Sequence, residues 1–231
     1  MIGSKVTWWD RLLSHFKEVH LTTVEGSPNP TLQVSLVQNR FQLSTENAIY
    51  SFDDLYLNFG LAFKQLKLPP NDSKFLLLGL GLGSVPFILE REHDAHYHTT
   101  AVEVDEAVIM LAARFTFPRL TQRIEVIHAD AEIFVKTNEG QYDLIVVDLF
   151  LDDIVPPYFE TQVGMLRLKK LLSSEGLLLI NRLYRNGSDK KRTTAFYENI
   201  FCKVFSNARF LDVGGNWILV AGNGVSDSVL R

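Results

Sequence analysis

Three carboxylates in this chain stand where chemistry is possible. Glu103 closes the apolar run 99–104, Asp130 follows the run 124–128, and Asp148 lies in the run 144–149. A fourth run, 75–80, breaks into Gly79-Leu80-Gly81-Leu82-Gly83-Ser84, with three alternating glycines. Glycine lets a backbone turn tightly and approach a ligand where any Cβ would collide. An acid at the carboxyl end of the neighbouring strand can accept hydrogen bonds from both hydroxyls of a ribose. Ligands of open α/β sheets sit outside the carboxyl ends of the strands, so the glycine loop and the three acids converge on one crevice. Asp130 is placed to accept from an adenine amino group, with Val104 and Ala131 against the faces of the base. Helix capping accounts for any one of these acids, but poorly for all three.

The elements that must carry these residues follow from periodicity. Beyond Pro69-Pro70 the chain alternates strand and helix, with strands at 75–80, 99–104, 124–128, 144–149 and 177–181 and helices such as 105–115 and 158–172. This rhythm implies a parallel sheet covered on both faces. Residues 208–213 and 217–221, joined at Gly214-Gly215-Asn216, read as an antiparallel pair closing the sheet. Upstream, Trp8, Trp9, Leu12, Leu13, Phe16 and Val19 fall at helical spacing, so 6–20 reads as an amphipathic helix anchored on the main domain. Residues 32–37 and 41–43 alternate as a hairpin, and 53–68 is helical.

Composition narrows the class. The 231 residues, 46% hydrophobic, suffice for one α/β domain with a smaller appendage. A formal charge of -4 gives no general attraction to nucleic acid or anionic membrane. Cys202 is the single cysteine, no apolar run approaches the roughly 18 residues of a membrane span, and the N-terminus lacks a signal-peptide core. A cytoplasmic protein with neither membrane nor nucleic-acid partner is expected. His93, His96 and His98 crowd together on the sheet edge opposite the crevice, and no metal site is expected there. Asn181-Arg182-Leu183-Tyr184-Arg185 and Lys190-Lys191-Arg192 read as a solvated basic loop.

Five parallel strands finished by a hairpin strand resemble the class I S-adenosylmethionine-dependent transferase fold. The resemblance implies a Rossmann-like α/β domain over 72–231, with a mostly parallel seven-stranded sheet and an antiparallel terminal strand. Residues 1–71 would add a small N-terminal helix, a β-hairpin and a linking helix. Tyr142-Asp143-Leu144-Ile145-Val146-Val147-Asp148, with Val102-Glu103-Val104-Asp105-Glu106 and His128-Ala129-Asp130-Ala131-Glu132, resembles the spermidine synthase family. Asp148 to Pro156 is similar to the loop of a spermidine synthase-like branch, in which a second aspartate, here Asp153, precedes a proline. Phe41-Gln42-Leu43-Ser44-Thr45-Glu46 and Tyr50 are similar to the hairpin that covers the substrate.

The resemblance implies that S-adenosylmethionine or its decarboxylated form is held by Gly79, Gly81, Gly83, Glu103, Val104, Asp130 and Ala131. Asp148 would hold the acceptor, an amine or other small nucleophile, and take up its proton during methyl or aminopropyl transfer. Gln42, Tyr50 and Asp153 would shape the acceptor side, and the N-terminal hairpin would build a homodimer. Where the family's glycine loop carries an aspartate that grips the amine, this chain has Leu82, so weak use of putrescine is expected. Two other readings stand beside this one. The chain could be a catalytically inactive nucleoside-binding or assembly protein of the same fold. An NAD-linked oxidoreductase is disfavoured by Ser84, where a dinucleotide fingerprint has glycine, and by the lack of a substrate domain.

Overall fold

The computed structural model describes residues 6–28, 31–45, 48–150 and 154–222. Its larger sheet has seven strands: β5 (Lys74–Leu78), β6 (His98–Glu103), β7 (Ile124–His128), β8 (Tyr142–Val147), β9 (Leu172–Leu183), β10 (Arg209–Asp212) and β11 (Asn216–Gly222). They lie in the order β10-β11-β9-β8-β5-β6-β7. β5 to β9 pair in parallel, and β11 runs antiparallel to both its neighbours. The expected terminal hairpin therefore closes the sheet by inserting its second strand between β9 and β10. Strand order reverses beside β5, where β6 leaves on one side and β8 on the other, and a crevice opens at such a point.

Both faces of this sheet are buried, as its unbroken apolar runs require. Phe75 and Leu77 pack under α2 (Leu57–Phe63) and α3 (Ser84–His93), through Phe59, Phe63, Ile88 and Leu89. Leu76 and Leu78 point the other way, to Phe134 of α5 (Ala131–Thr137), Met165 and Leu168 of α6 (Gln162–Leu171) and Phe196 of α7 (Gly187–Phe196). A third core joins α4 (Glu106–Phe115) to the N-terminal region, with Val108, Leu111 and Phe115 against Leu32, Val34, Leu36, Phe41 and Leu43.

The N-terminal region departs from the sequence reading. The expected hairpin is present as β2 (Leu32–Val37) and β3 (Arg40–Ser44), but β1 (Val19–Val24) and β4 (Ile49–Phe52) extend it to a four-stranded antiparallel meander. The helix expected over 6–20 is only α1 (Trp8–Leu13), because Val-His-Leu-Thr-Thr-Val is rich in β-branched residues and pairs with β2 as a strand. Its apolar side chains do not anchor on the main domain: Trp8 and Trp9 stack on each other, and both stay exposed with Leu12, Leu13 and Phe16.

The basic segment after the fifth strand is likewise no solvated loop. β9 continues to Leu183, Asn181 and Arg182 are buried, and Arg182 bonds to Glu160 and lies over the Phe196 ring. Among the described residues, no helix is long and apolar enough to cross a membrane. No cluster of three or more histidine, cysteine or acidic residues there could hold a metal ion.

Candidate active site

The carboxyl ends of β5, β6, β7, β8 and β9 open into a cavity of about 1300 Å³, roofed by Ile49 and Tyr50 of β4 and by Gly26 to Pro28. Its two halves are built differently. The half at β5 to β7 begins with Gly79, whose φ of +88° and contact with the Asp148 carbonyl oxygen leave no room for a Cβ. Gly81, at φ +52°, lies against the Tyr50 carbonyl. Gly83 is not a lining residue; it caps α3 at φ +91° beside Thr116, so it serves the turn rather than a ligand.

Glu103 lines this half, and its orientation is set by main-chain amides. Oε2 accepts from Leu80 N at 3.0 Å, and Oε1 from Val104 N at 2.9 Å and Asp105 N at 3.0 Å. Burial pushes its carboxyl above the ordinary range, while these amides pull it back. Asp130 caps α5, its Oδ1 accepting from Ile133 N at 3.0 Å, while the residue still faces the cavity beside Ala129 and Ala131. Val104 stands 42% exposed between the two acids, an apolar surface open to the face of a ring. A glycine cradle, a carboxylate beside it and an apolar wall fit a nucleoside, and so fit a cofactor of the S-adenosylmethionine type.

The half at β8, β9 and β11 is held by side chains. Asp148 Oδ2 accepts from the Tyr56 hydroxyl at 2.9 Å, and Oδ1 from Asn181 Nδ2 at 2.9 Å. Asn181 Oδ1 in turn accepts from Asn216 Nδ2 at 2.7 Å. Burial raises the Asp148 carboxyl to about 6, against the opposing pull of Asn181 and Tyr56. Burial and the neighbouring Asp148 charge push the Tyr56 phenol well above its ordinary value. Asn58, Leu149, Phe150, Leu183 and Arg185 complete the wall, and Arg185 is paired with Asp189 at 3.3 Å.

The residues expected at the acceptor side part company. Tyr50 lines the cavity, but Gln42 does not: it lies on the face of β3 opposite Phe41 and Leu43, paired with Ser35 and Phe52. Asp153 lies outside the described residues. Leu82, read from sequence as facing the amine, is 1% exposed and packed into the core between β3 and α4. Ser84 ties the glycine loop to β4, accepting from Phe52 N at 2.9 Å and bonding to the Ser51 hydroxyl at 2.7 Å.

Sequence reasoning missed Tyr56, Asn58, Asn181 and Asn216. Asn181 could have been found by applying the strand-end rule to the fifth strand as it was applied to the first four. Tyr56 and Asn216, at the start of a short helix and of the last strand, carry no such signal.

No protein-family model matches the chain. Over 155 residues it is 29% identical to the polyamine aminopropyltransferase of Vibrio vulnificus (strain CMCP6), covering 66% of this chain and 51% of that protein. Over 121 residues it is 27% identical to the eEF1A lysine and N-terminal methyltransferase of Mus musculus, covering 48% of this chain and 17% of that protein. The chain thus spans about half the length of the aminopropyltransferase and far less of the methyltransferase. Among solved structures, spermidine synthase in complex with the transition-state analogue AdoDATO superposes with a TM-score of 0.69 at 16% identity, over 90% of this chain and 75% of that one. Human methyltransferase-like protein 13 in complex with SAH gives 0.55 at 23% identity, over 74% and 84%. The fold is that of the class I S-adenosylmethionine-dependent methyltransferases. Within that class, the chain is similar in sequence to polyamine aminopropyltransferases and in fold to spermidine synthase.

Proposed function

We propose that this chain transfers an alkyl group from a cofactor of the S-adenosylmethionine type to an amine, with Asp148 as the proton acceptor. One observation carries the reading: a partly buried carboxyl, raised to about 6 and oriented by two donors, opens into the same cavity as the glycine cradle and Glu103. When bound, the cofactor supplies a sulfonium-activated carbon; the amine lone pair forms the new C–N bond as the C–S bond breaks and its electrons return to sulfur. Gly79 and Gly81 let the cofactor approach, and Glu103 and Asp130 hold its ribose and base. Asp148 takes the proton that the nitrogen loses, a step worth about 100- to 10,000-fold.

The charges of the cavity favour the decarboxylated cofactor, and with it aminopropyl transfer. Glu25, Glu103, Asp105, Glu106, Asp130 and Glu132 line it, against Arg185 as the one lysine or arginine among the described lining residues. That guanidinium is paired with Asp189 at the acceptor end, so a cofactor carboxylate would meet mainly like charge. Methyl transfer is the second reading. Leu149 and Phe150 wall the acceptor half, which suits an amine with a neutral body better than a chain of charged nitrogens. A relative named as a lysine and N-terminal methyltransferase points the same way.

The test is incubation with each cofactor and a panel of mono- and polyamines, with products read by mass spectrometry. An aminopropyl increment supports the first reading and a methyl increment the second. If neither cofactor gives heat in a calorimeter and no product forms, the transferase reading fails. We also propose that two copies pair through the N-terminal region, where Trp8, Trp9, Leu12, Leu13 and Phe16 are exposed. Sedimentation velocity showing only monomer would refute the pairing.

A further inference from the structure

We propose that Tyr56, Asn181 and Asn216 are positioning residues that form a directed chain of hydrogen-bond donors ending on Asp148. It rests on the reading of Asp148 as the proton acceptor. The direction follows from the chemistry of the end group. An ionised carboxylate can only accept, so Asn181 must turn its Nδ2 to Asp148 and its Oδ1 away. That Oδ1 then needs a donor, and Asn216 presents its Nδ2 at 2.7 Å. On the other side the Tyr56 hydroxyl has one proton and gives it to Asp148. Every bond in the set points to the same carboxylate, so each polarises the next.

The fold sets the chain up from three separate elements. Asn181 is on β9 and Asn216 opens β11 beside it, with Ile218 facing Asn181 in register. The Gly214-Gly215 turn, at φ +81° and +90°, fixes that strand start, and Gly215 O accepts from Tyr184 N at 2.8 Å. Tyr56 arrives from the start of α2 and lines the same cavity.

Of the charged or titratable groups sharing the cavity near Asp148, namely Tyr50 on β4, Glu103 on β6, Arg185 beyond β9 and Tyr56, the bonds to the carboxylate come from Tyr56 together with neutral Asn181. The consequence is specific. The donors favour the ionised form of Asp148 and hold its carboxyl in one orientation.

The experiment is a carbon-13 NMR titration of the Asp148 carboxyl, assigned by its loss in D148N, in the wild type, Y56F and N216A. In Y56F the midpoint is expected to rise by about one pH unit, the scale of one hydrogen bond to a charged group. In N216A, where Asn181 is freed to flip, a smaller rise is expected. The affinity for methylthioadenosine should stay unchanged in both variants, which separates a local effect from misfolding. A midpoint that stays in place in both variants overturns the proposal. Because the titration needs no turnover, a wild-type protein that transfers nothing counts against Asp148 as the base and leaves the donor chain to be judged by the midpoints.

Discussion

The two halves of the cavity are secured by different kinds of donor. At the nucleoside half, Glu103 is held by the amides of Leu80, Val104 and Asp105, which any sequence with this backbone would supply. At the acceptor half, Asp148 is held by side chains, Tyr56 from 92 positions earlier and Asn181 from 33 later. Main-chain donors survive substitution, whereas a side-chain donor is lost with one mutation. A fold so divided can keep its cofactor while its acceptor chemistry drifts. That fits a chain whose relatives carry both aminopropyltransferase and methyltransferase names.

The hardest break falls on the acceptor half. Asp148→Asn should lower any transfer activity by about 100- to 10,000-fold, since an amide cannot take the proton, and leave the affinity for methylthioadenosine unchanged. In the wild type, transfer should fall about tenfold for each pH unit below about 6, where Asp148 binds a proton. The same group leaves a mark on stability. Its folded value of about 6 lies above the ordinary 3.8, so its contribution is fully present below about 3.8 and is lost as pH rises through about 6. Urea melts across that window should show the decline in the wild type and not in Asp148→Asn. Equal slopes would mean that Asp148 is not the raised group.

Next in size is Leu82→Asp, which asks whether the glycine loop could lend the acceptor half a second carboxylate. Leu82 packs with Phe41, Leu43, Val108, Leu111 and Phe115 and does not line the cavity. An aspartate there would be a buried charge with no counter-ion, costing about 3 to 5 kcal/mol. The expected result is a lower melting temperature and no gain in putrescine binding. A stable variant that binds putrescine more tightly would show that the loop turns Leu82 toward the acceptor.

The contrast also explains what the sequence could reveal. Glu103, Asp130 and Asp148 were legible because each closes an apolar run, and a parallel sheet gathers such ends at one edge. The sheet itself was legible for the same reason, down to the antiparallel closure at Gly214-Gly215. Asn181 closes the fifth strand and was open to the same reading, but Tyr56 and Asn216 join it only through the packing of α2 over the sheet and the insertion of β11, which no local pattern encodes. The N-terminal meander was half legible: β2 and β3 alternate cleanly, but β1 was hidden because Val19 also fits the helical spacing that begins at Trp8. Leu82 shows the opposite hazard, in which a motif position was read as facing the acceptor and the side chain packs into the core instead.

On the nucleoside half, Glu103→Ala should weaken methylthioadenosine by about 1.5 to 3 kcal/mol, or some ten- to hundredfold in Kd. Calorimetry measures this directly. The loss should not depend on acceptor, which sets it apart from every change at the other half. An unchanged Kd would move Glu103 to a purely structural role, organising the amides of Leu80, Val104 and Asp105.

The smallest effect is expected at Gln42, and it sharpens the boundary of the acceptor half. The resemblance assigns this position to the substrate, yet β3 alternates so that Phe41 and Leu43 enter the core against α4 while Gln42 takes the other face. Its strand neighbours are Ser35 and Phe52, and it is absent from the cavity wall that Tyr50 and Tyr56 share with Asp148. A half-buried polar side chain away from any site changes stability by no more than about 0.5 kcal/mol when truncated. Gln42→Ala should therefore leave KM for the acceptor, and kcat, within about twofold. A rise in KM of tenfold or more, with methylthioadenosine affinity intact, would mean that the meander shifts on acceptor binding and brings β3 to the cavity. The acceptor half would then include a residue supplied by motion of the N-terminal sheet.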